Sequence, residues 1–100
     1  MQDSSNTEPV RKIALIRGRA GKARELRYAL ANLERDTRLE PGCILFSFYQ
    51  SISGESSFVL LEHFASQAAL QAHMELPHTR AFFAAKRVES VHAVDVPSLG

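Results

Sequence analysis

Twice within the chain a short run with the period of a strand gives way to a helical stretch and then to another strand, and this rhythm restricts the fold more than any other feature. Val10 to Arg17 carries Ile13, Ala14, Leu15 and Ile16, an apolar run closed by Gly18 and Gly21, which predicts a buried strand. From Lys22 to Thr37 the residues Ala23, Leu26, Leu30, Leu33 and Thr37 recur at spacings of three and four, with Arg24, Glu25, Arg27, Glu34 and Arg35 between them. That is an amphipathic helix lying on the sheet. Glu40, Pro41 and Gly42 then turn the chain. Cys43 to Ser51 alternates, setting Cys43, Leu45, Ser47 and Tyr49 against Ile44, Phe46, Phe48 and Gln50. The small polar stretch from Ser51 to Ser57 reads as a hairpin loop. It leads into Ser57 to Phe64, with Phe58, Leu60, Glu62 and Phe64 opposite Val59, Leu61 and His63. Ser66 can cap a helix over Gln67 to Glu75, Pro77 breaks it, and His78 to Lys86 resumes helical composition. Val88 to Val96 is the last strand, with Val94 and Val96 on one side and Val91 and Ala93 on the other.

The order β-α-β-β-α-β folds, under the right-handed crossover rule, into a four-stranded antiparallel sheet with both helical layers on one face. The fold class is α+β, with one domain over residues 10–97 and a flexible polar tail over 1–9. Phe46, Phe48, Val59 and Leu61 are not expected to fit together under so few helices, so a second copy is expected to cover the other face as a homodimer. With 45% hydrophobic and 23% charged residues the chain is expected to fold and not to span a membrane. A net charge of +1, with no basic run, argues against nucleic acid. Cys43 is the single cysteine, so no intrachain disulfide forms. The N-terminus lacks a cationic start and an apolar run, and a cytoplasmic location is expected.

Three blocks carry a resemblance. They are Thr37-Arg38-Leu39-Glu40-Pro41-Gly42-Cys43, Phe58-Val59-Leu60-Leu61-Glu62-His63-Phe64, and the stretch from Ala69 through His73, Pro77 and His78 to Phe82. In these the chain resembles the antibiotic biosynthesis monooxygenase (ABM) family, over about Val10 to Val96. The resemblance implies a ferredoxin-like βαββαβ protomer pairing into a dimeric α+β barrel. It implies a cofactor-free oxygenase acting with O2 on small electron-rich aromatic, anthrone or quinol-like substrates held between sheet and helices. Related members isomerise or degrade small oxo-metabolites, and a non-catalytic ligand-binding dimer is a third possibility on the same scaffold. A haem-binding subset has a Trp where this chain has Phe64, and its ligating His aligns near Phe83; the chain has no tryptophan, so no haem is expected.

Oxygenation without a cofactor asks for a base, a stabilised developing oxyanion and exclusion of water. Histidine suits the base, and His73 and His78 flank the break at Pro77. His73 either lines the pocket or pins its helix to a strand, and His78 either contacts substrate or caps the second helical segment. Glu62, among Phe58, Leu60 and Phe64, needs a partner if buried; a hydrogen bond to His73 or to an Arg is favoured over service as a catalytic base. Tyr49 either donates to an oxyanion or lies in the dimer interface. Arg38 either holds an anionic substrate or, as its place after a helix favours, compensates the helix dipole. Phe64 and Phe82 are expected to contact substrate. His63 and His92, on strands, have no nearby Cys or Asp at ligand spacing, and His73 and His78 are not an i, i+4 pair on a helix, so no metal is expected. Cys43 is expected to be a structural thiol, not a nucleophile.

Overall fold

The computed structural model describes residues 8–97, so the tail expected over 1–9 falls, through residue 7, outside them. Seven elements follow in order: β1 (Val10–Gly18), α1 (Ala23–Thr37), β2 (Cys43–Gln50), β3 (Ser57–Phe64), α2 (Gln67–Glu75), α3 (Pro77–Ala84) and β4 (Val88–Asp95). The strands form one antiparallel sheet in the order β2-β3-β1-β4, the ferredoxin-like α+β arrangement.

Register decides which side chains share a face, because directly opposed residues point the same way. Phe48, Leu60, Ala14 and Ala93 form one row across all four strands, and Phe46, Glu62, Lys12 and Asp95 the next. These rows lie on the helical side, where Ala14, Leu60 and Phe46 are buried. Tyr49, Val59, Leu15 and His92 form a row on the other side, as do Ser47, Leu61, Ile13 and Val94. The four residues not expected to fit together under the helices divide between the faces: Phe46 and Phe48 lie under the helices, and Val59 and Leu61 face away from them. One expectation about strand phase is corrected. Cys43 leaves the phase of Leu45, because Cys43 pairs with Phe64 while Leu45 pairs with His63, making Ile44 the extra residue of a bulge.

The helix α1 buries Leu26, Leu30, Leu33 and Thr37, the stripe read from the spacing. Each of those leucines contributes about 1.5–3 kcal/mol by leaving water. Two side chains one turn apart on α1 also seal β2 as the edge of the sheet. Glu34 Oε2 accepts the Phe48 N–H at 2.9 Å, and Arg38 Nε donates to the Phe46 carbonyl at 3.0 Å. These bonds occupy backbone groups that an edge strand otherwise leaves open to foreign strands.

The chain then turns tightly at Pro41 and Gly42, where the Gly42 carbonyl accepts from Ala65 N–H at 2.8 Å. A Cβ at Gly42 would fall on the Ala69 methyl of α2, so glycine is what lets this turn lie against that helix. Ser66 caps α2 by accepting from Ala69 N–H at 3.1 Å. Pro77 splits the second helical layer as expected. Leu76 takes an extended conformation (ψ 149°), as the residue before proline prefers, and α3 restarts with Pro77 in its first turn.

The sheet face away from the helices is bare. Leu15 and Tyr49 are each 54% exposed there, and Val94 46%. A shallow trough of about 440 Å³ runs along it, bordered by Leu15, Tyr49, Val59 and His92. Among the described residues no helix is long and apolar enough to cross a membrane.

Candidate functional site

Helices and sheet do not close completely on each other. Between them lies a cavity of about 250 Å³ whose walls are overwhelmingly apolar: Phe46, Phe48 and Leu60 from the sheet, Leu30 and Leu33 from α1, and Phe82 from α3. Four polar groups interrupt this lining, namely His73, Thr79, Glu62 and Lys12. An apolar hollow with a few convergent polar groups is the usual form of a small-molecule site. The larger trough on the bare face holds none of these four groups, so the cavity between helices and sheet is the candidate site.

Thr79 and His73 are its most confined polar groups, 1% and 4% exposed. The His73 ring packs between Phe46 and Phe64, with centroids 5.3 and 5.0 Å away. Its Nδ1 lies 2.9 Å from Glu40 Oε2 and 3.3 Å from Thr79 Oγ1. The same Glu40 oxygen lies 2.6 Å from His78 Nε2. A carboxylate accepts, so both imidazoles donate to it, and His73 carries its proton on Nδ1. In a neutral imidazole this tautomer leaves Nε2 as the acceptor.

Three segments build this arrangement. Gly42 brings the α1–β2 turn against Ala69, one helical turn before His73, which sets Glu40 beside that histidine. The extended Leu76 redirects α3, so His78 returns to the carboxylate that His73 already engages. The spacing of five residues that argued against shared ligation on one helix is bypassed, since the two histidines lie on different helices.

Glu62 faces the same cavity from β3, but the hydrogen bond to His73 expected for it belongs to Glu40 instead. Burial pushes the Glu62 carboxyl above its usual range, and the Lys12 ammonium on the neighbouring strand opposes the shift. Lys12 itself bonds Asp95 at 2.7 Å.

Other expected site residues are distributed differently. Phe82 lines the cavity, whereas Phe64, 1% exposed, stands behind it as a support for the His73 ring. Tyr49 is on the opposite face of the sheet, because its strand phase is that of Leu45 and Ser47; it cannot meet His73 within one protomer. Arg38 also stays outside the cavity. Its guanidinium donates to Ser47 Oγ at 2.9 Å as well as to the Phe46 carbonyl and pairs with Glu34 at 3.4 Å, tying the end of α1 to β2. His78 does not cap α3, whose N-cap is Leu76, and it lies beyond the cavity wall. Cys43 packs at the core margin with its thiol pKa raised, chiefly by burial and further by Glu40, which disfavours the thiolate. Glu40 and Thr79 were missed. Glu40 reads locally as part of a Pro-Gly turn and Thr79 as a helix-surface threonine, and only their shared neighbour His73 reveals them.

Comparison with known proteins agrees with this architecture. Residues 9–85 match the model of the family described as "Antibiotic biosynthesis monooxygenase". The chain is 36% identical over 72 residues to "Putative monooxygenase Rv0793" of Mycobacterium tuberculosis, covering 72% of this chain and 70% of that one. It is 39% identical over 46 residues to "Uncharacterized protein sll1783" of Synechocystis, of which the matched part spans 31% and of this chain 46%. Among solved structures, PA3566 of Pseudomonas aeruginosa superposes with a TM-score of 0.87 at 25% identity, covering 95% of this chain and 98% of its own. Rv0793 superposes with a TM-score of 0.83 at 29% identity, covering 93% and 97%. These similarities support an enzyme of general monooxygenase type.

Proposed function

Because the chain belongs to the antibiotic biosynthesis monooxygenase family, we propose that it is a cofactor-independent monooxygenase acting on a small electron-rich aromatic or quinol-like substrate, with His73 as general base. The observation that carries this reading is a buried histidine on an apolar cavity, its Nδ1 held by Glu40 and its Nε2 left free to take a proton. Deprotonation of a phenolic O–H or an activated ring C–H makes the substrate the reductant of O2. For a ring CH2 that becomes C=O, the substrate yields four electrons and two hydrogens; one oxygen atom enters the product and the other leaves as water. No external reductant enters the balance. The apolar walls limit water around the carbanion or phenolate, and the Thr79 hydroxyl is the cavity's donor for a developing oxyanion, with Glu62, whose carboxyl burial pushes above its usual range, sharing the lining. At about 250 Å³ the cavity lies just below the range of roughly 300–1,000 Å³ usual for drug-sized ligands, which favours a compact ring system.

The reading includes a homodimer. Ile13, Leu15, Tyr49, Val59, Leu61 and Val94 form an apolar sheet face that a second copy would screen, giving the dimeric α+β barrel. Tyr49 then belongs to the interface.

Oxygen uptake with a panel of hydroquinones and anthrones tests the chemistry. Turnover above the uncatalysed rate is expected, falling by about 10²–10⁴ in His73→Ala, the usual contribution of a general base. No uptake above background across the panel counts against the proposal. The raised Glu62 carboxyl, sharing the cavity with His73, favours one alternative, in which an acid and a base move a proton within a small oxo-metabolite. Turnover that persists without oxygen identifies that isomerase-type reaction.

A further inference from the structure

Behind the cavity wall the Glu40 carboxylate sits in an unusual charge environment. Its side chain is 8% exposed, as deep as that of His73 at 5%, while His78 at 24% borders solvent. A carboxylate this deep calls for a cation. Its two partners are imidazoles, while the guanidinium groups of Arg38 and Arg80 pair elsewhere, with Glu34 and Glu75. The atoms Glu40 Oε2, His73 Nδ1 and His78 Nε2 all lie within 4.8 Å of one another. They arrive from the α1–β2 turn, α2 and α3, so the cluster exists only in the folded chain.

We propose that Glu40, His73 and His78 form a binding site for a divalent transition-metal ion, which takes the place of the two imidazole protons now directed at Glu40. Two neutral imidazoles and a carboxylate are a donor set suited to zinc and to the iron(II), cobalt and nickel ions, and three protein ligands leave a position open. The present separations of 2.9 and 2.6 Å are hydrogen-bond lengths. Ligand bonds of about 2.0–2.2 Å in a tetrahedron set donors about 3.3 Å apart. Each imidazole nitrogen therefore moves out from Glu40 Oε2 by roughly half an ångström when an ion enters. Coordination through Nδ1 also shifts the remaining proton of His73 to Nε2, so the loaded histidine donates at the cavity where the free one accepts. That consequence rests on the base role proposed above; the binding does not.

Isothermal titration calorimetry of the full chain with Zn2+ alone tests the site. One ion per chain with a micromolar Kd is expected. Affinity should fall by about tenfold or more in His78→Ala and in Glu40→Gln, since losing even a hydrogen-bond partner of a metal ligand costs about that much. His92→Ala, on the far face of the sheet, should bind as the parent does. Far-UV circular dichroism checks that the variants fold. Imidazole nitrogen spectra of the unaltered chain give a second measurement, in which Zn2+ should shift one Nδ1 and one Nε2 from two different histidines. The proposal is overturned by absence of binding up to about 100 μM Zn2+, by an affinity indifferent to both cluster substitutions, or by shifts confined to His63 and His92.

Discussion

Replacing Glu40 by alanine removes a single oxygen that receives two imidazole donors, at 2.9 Å from His73 and 2.6 Å from His78. The two losses are unequal. His73 is wedged between Phe46 and Phe64 and cannot turn its Nδ1–H to water, whereas His78 borders solvent and recovers a bond there. A buried donor left unpaired costs about 1–3 kcal/mol. Thr79 Oγ1, 3.3 Å away, offers His73 a longer substitute, and loss of the carboxylate relieves its own burial cost. Together these place the expected destabilisation near 2 kcal/mol. In a domain of this size each kcal/mol lowers Tm by about 4–8 °C, so Glu40→Ala should melt about 8–15 °C below the parent. Glu40→Gln keeps a carbonyl for His73 and should lose about half as much. Thermal unfolding followed by circular dichroism measures this at one fixed protomer concentration, because the proposed dimer would couple Tm to concentration. A Glu40→Ala chain melting within about 2 °C of the parent refutes the idea that this carboxylate holds a buried histidine.

The remaining expectations concern other parts of the chain. Gly42→Ala sets a methyl against Ala69 and should destabilise by about 1–3 kcal/mol; a urea-unfolding cycle with Ala69→Gly should recover a favourable coupling, and additive effects would contradict the contact. Leu61→Lys puts a charge in the middle of the bare sheet face and should convert the proposed dimer to monomer in gel filtration; an unchanged elution volume disproves the proposed facing-sheet interface. Glu62 has its folded pKa raised by burial above the unfolded value of about 4.3. The folded chain holds the extra proton in that window, so stability is lost as pH rises through it. Glu62→Gln should therefore gain on the parent at neutral pH and match it near pH 4, whereas a difference flat in pH would show that the carboxyl is not desolvated.

Local signals carried the elements well, because their causes are local. The spacing of Leu26, Leu30, Leu33 and Thr37 is the period of a helix, and those residues are the ones α1 buries. Proline at 77 lacks the N–H a helix interior needs, and the second helical layer breaks there. Alternation failed once, at Ile44, since a bulge changes phase without any mark in composition. The candidate site was legible in part: His73 and Phe82 line the cavity, while Tyr49 and Arg38 lie outside it.

What the chain's own residues determined was period, polarity and punctuation, and from these the βαββαβ order and the helical face of the sheet. Which polar groups meet was decided by tertiary structure. Glu40 and His73 are 33 positions apart and come within 2.9 Å only because a glycine lets one turn lie against α2; His78, on α3, closes on the same carboxylate at 2.6 Å because the extended Leu76 bends the chain back. A hydrogen bond forms or fails over a few tenths of an ångström, and no periodicity along the chain encodes distances that fine between segments so remote.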